Sequence, residues 1–215
     1  MKKIICYGDS NTFGYNPKGG SRFGENIRWT SLLQENLGVE YEVINEGVCD
    51  RTGFVNNPKG ELFSAQKHFP EFINKFEKID LLVLWIGTND LQFQYNISIE
   101  TIESGLEQLL KIGKEKTEHI ILIPPVELSG KILYGEFNYQ FDSESINKSK
   151  NVGRIYKKFA DLYNCKLFDI NTIVKPSDID GLHYDNNSHK IIANNLSEFI
   201  LTLNNKETIN TKILQ

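Results

Sequence analysis

The stretch that decides the fold lies near the start of the chain and reads Ile4-Ile5-Cys6-Tyr7-Gly8-Asp9-Ser10-Asn11. A short apolar run is followed at once by a glycine, an acid and a serine. This pattern predicts a buried strand that stops sharply and leaves Ser10 at its carboxyl end, the edge of an α/β sheet where ligands bind. Ser10 is a candidate nucleophile if other segments supply a base and an oxyanion hole. Taken alone, these eight residues fit an ordinary polar turn equally well.

Length and composition predict one domain over residues 1–203, followed by a polar tail at 204–215. Of the 215 residues, 40% are hydrophobic and 24% are charged, which is typical of a soluble globular protein. The net charge of −4 argues against a nucleic-acid partner. No apolar run reaches membrane-spanning length, so we expect no membrane association and a cytoplasmic location. The cysteines are too few and too scattered for a disulfide framework or a zinc site: Cys6, Cys49 and Cys165.

Five apolar runs of strand length alternate with segments of helical periodicity. This alternation predicts an α/β fold, a three-layer α/β/α sandwich with a five-stranded parallel sheet of the flavodoxin-like kind. Asn26 is predicted to cap a helix that stops at Gly38, and Ser98 to cap a later helix. Pro70 is predicted in the first turn of the helix between them. The stretches 12–25 and 126–142 are predicted to be loops, the second a lid or an interface element.

Polar signatures follow three of the predicted strands. They are Ser10 after the first, Gly47 after the second and Gly87-Thr88-Asn89-Asp90 after the third. Parallel strands end along one edge, and Asp180-Gly181-Leu182-His183, just before the last helix, can reach the same edge. Each signature is weak alone, because a serine or an asparagine at a turn is common. Their occurrence together and in this order points to a shared site.

These four blocks resemble those of the GDSL or SGNH hydrolases. The matching segments, which span nearly the whole chain in the family's order, are Gly8-Asp9-Ser10-Asn11, Asn45-Glu46-Gly47, Gly87-Thr88-Asn89-Asp90 and Asp180-Gly181-Leu182-His183. The resemblance implies the SGNH hydrolase fold and a serine mechanism on esters. Ser10 would be the nucleophile, His183 the general base and Asp180 the residue that orients it.

The same resemblance implies an oxyanion hole formed by the backbone N–H groups of Ser10 and Gly47 and the side-chain amide of Asn89. A side chain at position 47 is expected to crowd the oxyanion. Asp9 and Asp90 are interpreted as braces of their turns. The mechanism requires neither a metal nor another cofactor.

A closer likeness is to the bacterial arylesterase and acyltransferase subgroup, carried by Arg22-Phe23, Arg28-Trp29-Thr30 and residues 46–52. It implies short acyl esters as small-molecule substrates and a homo-oligomer. We therefore expect a serine esterase of small, short-chain acyl esters. A carbohydrate O-acetyl esterase and an acyltransferase are alternatives with the same machinery. A non-catalytic, flavodoxin-like small-molecule-binding module is the alternative of another class.

Several aromatic and charged residues allow two interpretations, a substrate contact or a structural role. Loop aromatics could contact the substrate or simply pack within the loops: Phe13, Tyr15 and Phe54. Three arginines could bind a substrate carboxylate, but pairing with Glu25 or Glu46 is the expectation: Arg22, Arg28 and Arg51. The remaining histidines have no ligand-spaced partner and are assigned no role: His68, His119 and His189.

Overall fold

A computed structural model describes residues 1–213 of the chain, with side chains described as far as residue 203. In this described part, five parallel strands form one sheet in the order β2-β1-β3-β4-β5. The strands are β1 Lys2–Gly8, β2 Tyr41–Gly47, β3 Leu81–Trp85, β4 Ile120–Ile123 and β5 Lys166–Leu167. This confirms the predicted α/β class and the five-stranded parallel sheet.

Within residues 1–213, six α-helices accompany the sheet: α1 Ser10–Phe13, α2 Trp29–Leu37, α3 Ala65–Ile73, α4 Ile99–Lys114, α5 Ser143–Leu162 and α6 Asn186–Ile213. Helix α2 packs against α6, whereas α4 packs against both α3 and α5. Since crossovers between parallel strands are right-handed, these two groups cover opposite faces of the sheet. The result is the predicted three-layer arrangement.

The central strands are buried on both faces, which explains their unbroken apolar sequences. In β1, Ile4 is 1% exposed and Ile5 is fully buried, and every residue of β3 is buried. Burying an aliphatic side chain contributes about 1.5–3 kcal/mol, so strands between two helical layers need apolar residues at successive positions. In the resulting register, Gly8 lies opposite Gly47 on one side and Trp85 on the other.

Two of the predicted helix ends are confirmed, and two are wrong. Gly38 ends α2 with a φ of 78°, and Ser98 Oγ accepts the N–H of Thr101 at the start of α4. Helix α2 begins at Trp29, three residues after the predicted cap Asn26. Helix α3 begins at Ala65, so that Pro70 lies inside it.

The last helix extends past residue 203, where the sequence predicts the end of the domain. Helix α6 runs from Asn186 to Ile213 and so overlaps the predicted polar tail. The side chains of 204–215, and all of 214–215, lie outside the described residues, so the boundary at 203 stays a prediction. Over the part of the chain that the structure describes, no helix has the length and apolar character needed to cross a membrane.

A close backbone contact fixes the end of β2 against α1. A Cβ atom placed on Gly47 would lie 2.1 Å from the backbone nitrogen of Phe13 and 2.5 Å from the carbonyl carbon of Thr12. Backbone atoms cannot give way as a flexible side chain does. The junction of β2 and α1 therefore requires glycine at position 47.

Replacing Gly47 by alanine should lower the free energy of unfolding by about 1–3 kcal/mol, the usual cost of overpacking. The matched control is Gly153→Ala in α5, where an added Cβ meets nothing within 4 Å. This control should be neutral or stabilising, because alanine favours helices. Urea unfolding measures both variants. Equal stability of Gly47→Ala and the wild type would contradict the contact.

Candidate active site

Ser10 lies at the first position of a one-turn helix directly after β1. The side chain of Asp9 caps this helix, its Oδ1 accepting the N–H of Asn11 at 3.0 Å. Gly14, with a φ of 88°, ends it by donating its N–H to the carbonyl of Ser10. The loop predicted over residues 12–25 thus begins later than expected. The cap and the glycine together hold the buried Ser10 in a short, defined turn.

The turn before α6 brings His183 and Asp180 to Ser10. His183 Nε2 lies 2.9 Å from Ser10 Oγ, and His183 Nδ1 lies 2.7 Å from Asp180 Oδ2. The other carboxylate oxygen of Asp180 accepts the N–H groups of Leu182 and His183, both at 3.0 Å. Because an ionised carboxylate only accepts, Nδ1 carries the hydrogen and Nε2 is left to accept from the serine hydroxyl. The geometry therefore joins the three residues predicted as a catalytic set.

The strand order explains why residues so distant in sequence meet. The chain leaves β1 for β2 on one side and then returns to β3 on the other side. The topological switch point, where ligands bind in open α/β sheets, therefore lies between β1 and β3. Ser10 follows β1, and Asn89 follows β3.

Asn89 is held by hydrogen bonds to both ends of its carboxamide. Its Nδ2 donates to the carbonyl of Arg51 at 3.1 Å, and its Oδ1 accepts from Gln92 Nε2 at 3.1 Å. An amide nitrogen carries two hydrogens, so one remains for a further acceptor. Asn89 also lines the same cavity as Ser10 and His183. This placement suits the predicted oxyanion donor.

Gly47 has a structural constraint that the sequence did not indicate. Its N–H donates to Asn45 Oδ1 at 3.0 Å, and a side chain at this position would meet the backbone of α1. This contact by itself requires glycine, and the expected crowding of an oxyanion stays a prediction. Gly47 can serve an oxyanion only by sharing or exchanging its bond to Asn45, and its predicted role in the oxyanion hole stays a prediction.

The two acids interpreted as braces are both buried. Asp90 accepts the N–H groups of three consecutive residues, Gly53 at 2.5 Å, Phe54 at 2.7 Å and Val55 at 3.0 Å. It therefore holds the loop after β2 against the end of β3. Burial raises the pKa of Asp90 to about 6 and that of Asp9 to about 6, although the N–H donors favour their charged forms.

Two aromatic rings hold the imidazole of His183. The ring of Tyr15 stacks on it with centroids 4.1 Å apart, and the ring of Phe137 meets it at 5.3 Å and 62°. The hydroxyl of Tyr15 donates to Glu136 Oε1 at 2.8 Å, and burial together with this bond raises the pKa of Tyr15. The segment 126–142 thus reaches the site through Glu136 and Phe137. Sequence reasoning missed both, because nothing in this aperiodic segment points to His183.

The other ambiguous residues lie away from the cavity or pair internally. Phe13 lies under the guanidinium of Arg22 at 4.5 Å, and Phe54 is buried between Gly87 and Gly105. Arg28 and Arg51 form the expected ion pairs with Glu25 at 3.5 Å and Glu46 at 3.0 Å. His189 accepts the N–H of Trp29 at 3.1 Å, and its burial lowers its pKa to about 4, which keeps the ring neutral.

The cavity beside Ser10 is small and has a polar wall. Its volume is about 180 Å³. The cavity is also lined by Lys59 and Asp50, an ion pair at 2.5 Å, and by Tyr139 and Gln140. Among the described residues, no three His, Cys, Asp or Glu side chains are grouped so that they could hold a metal ion.

Comparison with solved structures places this architecture among known esterases. An inhibitor-bound aryl esterase of M. smegmatis is 24% identical with a TM-score of 0.85 over 94% of this chain and 100% of its own, which shows a shared fold. A carbohydrate acetylesterase family member from Sinorhizobium meliloti is 26% identical with a TM-score of 0.84, over 93% of this chain and 97% of its own.

The sequence comparisons agree. A search of curated proteins finds no significant match. The profile of the GDSL-like lipase/acylhydrolase family, in contrast, matches residues 6–191, which include Ser10, Asn89 and His183. The match extends over most of the chain and confirms the predicted resemblance. The chain therefore belongs to the GDSL-like lipase/acylhydrolase family and is a hydrolase of carboxylic esters.

Proposed function

We propose that this protein hydrolyses small esters with short acyl chains through an acyl-enzyme on Ser10. The observation that carries the proposal is the continuous hydrogen-bonded series from Ser10 Oγ through both nitrogens of His183 to Asp180, at 2.9 Å and 2.7 Å. In this series the imidazole nitrogen facing the serine is the one free to accept a proton. That arrangement matches what general-base activation of a hydroxyl requires.

In the first half-reaction, Ser10 Oγ forms a bond to the ester carbonyl carbon while its proton passes to His183 Nε2. The carbonyl oxygen becomes an oxyanion within reach of the free amide hydrogen of Asn89 and the backbone N–H of Ser10. The intermediate then collapses, the bond to the alcohol oxygen breaks, and the alcohol leaves with the proton from Nε2. An acyl group remains on Ser10.

In the second half-reaction, water gives a proton to Nε2 and attacks the acyl carbon. Collapse of this intermediate breaks the bond to Ser10 Oγ, which recovers its proton, and releases the carboxylic acid. Asp180 stays ionised throughout and stabilises the imidazolium that forms in each half-reaction.

The dimensions and polarity of the cavity favour a small substrate. A volume of about 180 Å³ is below the range of about 300–1,000 Å³ common for drug-sized ligands, so a long acyl chain does not fit inside. Lys59, Asp50 and Gln140 offer hydrogen bonds to a polar alcohol. A carbohydrate O-acetyl ester is therefore a second candidate substrate, supported also by the carbohydrate acetylesterase among the similar structures.

Kinetics with p-nitrophenyl acetate, butyrate and octanoate test the mechanism. Ser10→Ala should lose kcat by about 10⁶, as subtilisin does without its serine, and Asp180→Asn by about 10⁴. The control for the second variant is Asp178→Asn, an exposed aspartate two residues away, which should keep wild-type activity. The value of kcat/KM should fall from acetate to octanoate. Wild-type activity in Ser10→Ala would exclude the proposed mechanism.

Acetylated sugars separate the two substrate classes. A higher kcat/KM for glucose pentaacetate than for phenyl acetate would favour the carbohydrate ester, and the reverse order would favour the aryl ester.

The stacked ring of Tyr15 should contribute to the same chemistry by stabilising the imidazolium. An aromatic contact of this kind is worth about 0.5–1.5 kcal/mol, so Tyr15→Leu should lower kcat by about 2–10-fold. Tyr15→Phe keeps the ring and should lose less. Tyr134→Leu, which removes an exposed tyrosine from the loop segment, is the control. A loss in Tyr15→Phe equal to that in Tyr15→Leu would assign the effect to the bond with Glu136 instead.

A further inference from the structure

Among the residues whose side chains are described, Arg51 is the largest fully buried one with a charge, and every one of its donor nitrogens has a partner. Nε donates to the carbonyl of Leu62 at 3.0 Å. Nη1 donates to the carbonyls of Gly8 at 3.1 Å and Glu46 at 2.7 Å, and Nη2 donates to Glu46 Oε1 at 3.0 Å. The carboxylate accepts from only one of these nitrogens, and the remaining N–H groups of a buried guanidinium need other acceptors. Three backbone carbonyls meet that need, and their positions decide which segments Arg51 holds.

Two of those carbonyls belong to the ends of strands that form the site. The carbonyl of Gly8 lies at the last residue of β1, two positions before Ser10. The carbonyl of Glu46 is part of the peptide unit whose nitrogen belongs to Gly47. One guanidinium nitrogen therefore fixes the ends of β1 and β2 relative to each other, at the edge where the chemistry is proposed to occur.

The backbone of Arg51 holds Asn89, the third predicted oxyanion donor. Its carbonyl accepts from Asn89 Nδ2 at 3.1 Å and so sets the direction of the amide hydrogen that is left for an oxyanion. Arg51 thus contacts the segments that carry all three predicted oxyanion donors: Ser10, Gly47 and Asn89.

The surroundings of Arg51 fit a planar guanidinium and not a compact cation such as the lysine ammonium. The group lies over the ring of Tyr7 at 4.4 Å, and Nη2 is 3.3 Å from His68 Nδ1, which also contacts the Tyr7 hydroxyl at 3.2 Å. A lysine ammonium is a compact point charge and cannot reproduce the fixed directions of these donors.

We propose that Arg51 is a positioning residue for the oxyanion hole, one that holds the ends of β1 and β2 through its side chain and Asn89 through its carbonyl. This inference rests on the proposed serine mechanism. Its consequence is that a change at Arg51 acts on the stabilisation of the transition state rather than on the binding of the ester.

The test is a double-mutant cycle between Arg51→Lys and Asn89→Ala, with kcat and KM measured on p-nitrophenyl acetate. Asn89→Ala alone should lower kcat by about 10²–10³, the usual loss of one oxyanion donor. Arg51→Lys alone should lower kcat by about 10–10², because a displacement near 1 Å costs that much. KM should stay within about twofold of wild type, since uniform binding is kept.

In the Asn89→Ala background, Arg51→Lys should cost about as much kcat as in the wild type, because lysine keeps the carbonyl that holds Asn89 while the ends of β1 and β2 lose the guanidinium. A loss confined to KM, an unchanged kcat in Arg51→Lys, or a loss that disappears in the Asn89→Ala background would each overturn the proposal.

Two further variants separate positioning from folding. Leu109→Ala removes a fully buried side chain of α4 away from the site and should lower stability without changing kcat. Arg51→Gln removes the charge and the bonds of Nη1 to both strand ends without burying an unpaired ammonium, while its partner Glu46 is partly exposed, so this variant carries the test if Arg51→Lys does not fold. A wild-type kcat in Arg51→Gln would then overturn the proposal. Wild-type activity in Ser10→Ala would instead show that the serine mechanism itself has failed.

Discussion

The parallel pairing of β1 with β2 on one side and β3 on the other is the constraint on which the rest of the site depends. It requires apolar residues along β1, since both faces are covered by helices, and it ends all three strands at one edge. Polar residues that follow those strands are thereby brought together without being close in sequence. Ser10 and Asn89 reach the same region for this single reason.

The site is held by bonds to the backbone more than by bonds between side chains. Asp9 and Asp90 accept N–H groups of the turns beside them, and Asp180 accepts two N–H groups of its own turn. Arg51 donates to three carbonyls. Such bonds fix the loops at the sheet edge and so place the reacting atoms before any substrate arrives. Pre-organisation of this kind is what electrostatic stabilisation of an oxyanion requires.

Much of this could be predicted from the sequence, because strand ends and turns leave local signatures. The parallel sheet follows from the apolar runs, and the resemblance to the family rests on the three polar blocks at strand ends together with the block at residues 180–183. The structure brings together Ser10, Asp180 and His183, which those blocks predicted as partners. The contact of Gly47 with the backbone of α1 could not be predicted, because sequence alone does not place that backbone.

The interactions that could not be predicted are those between segments distant in the chain. Tyr15 and Glu136 are separated by 121 positions, and no periodicity relates them. Pro70 favoured the start of a helix, yet tertiary packing places it inside α3. Arg51 was expected to pair with Glu46, and it does, but its bonds to Gly8 and Leu62 depend on the fold.

The most direct measurement of the central claim is covalent trapping of the nucleophile. The intact protein is incubated with diethyl p-nitrophenyl phosphate, and the modified residue is identified by peptide mass spectrometry. The proposed serine mechanism predicts one diethylphosphoryl group per chain, carried by Ser10. The group should be absent in Ser10→Ala and should form much more slowly in His183→Ala. A phosphoryl group on another residue, or equal modification of Ser10→Ala and the wild type, would contradict it.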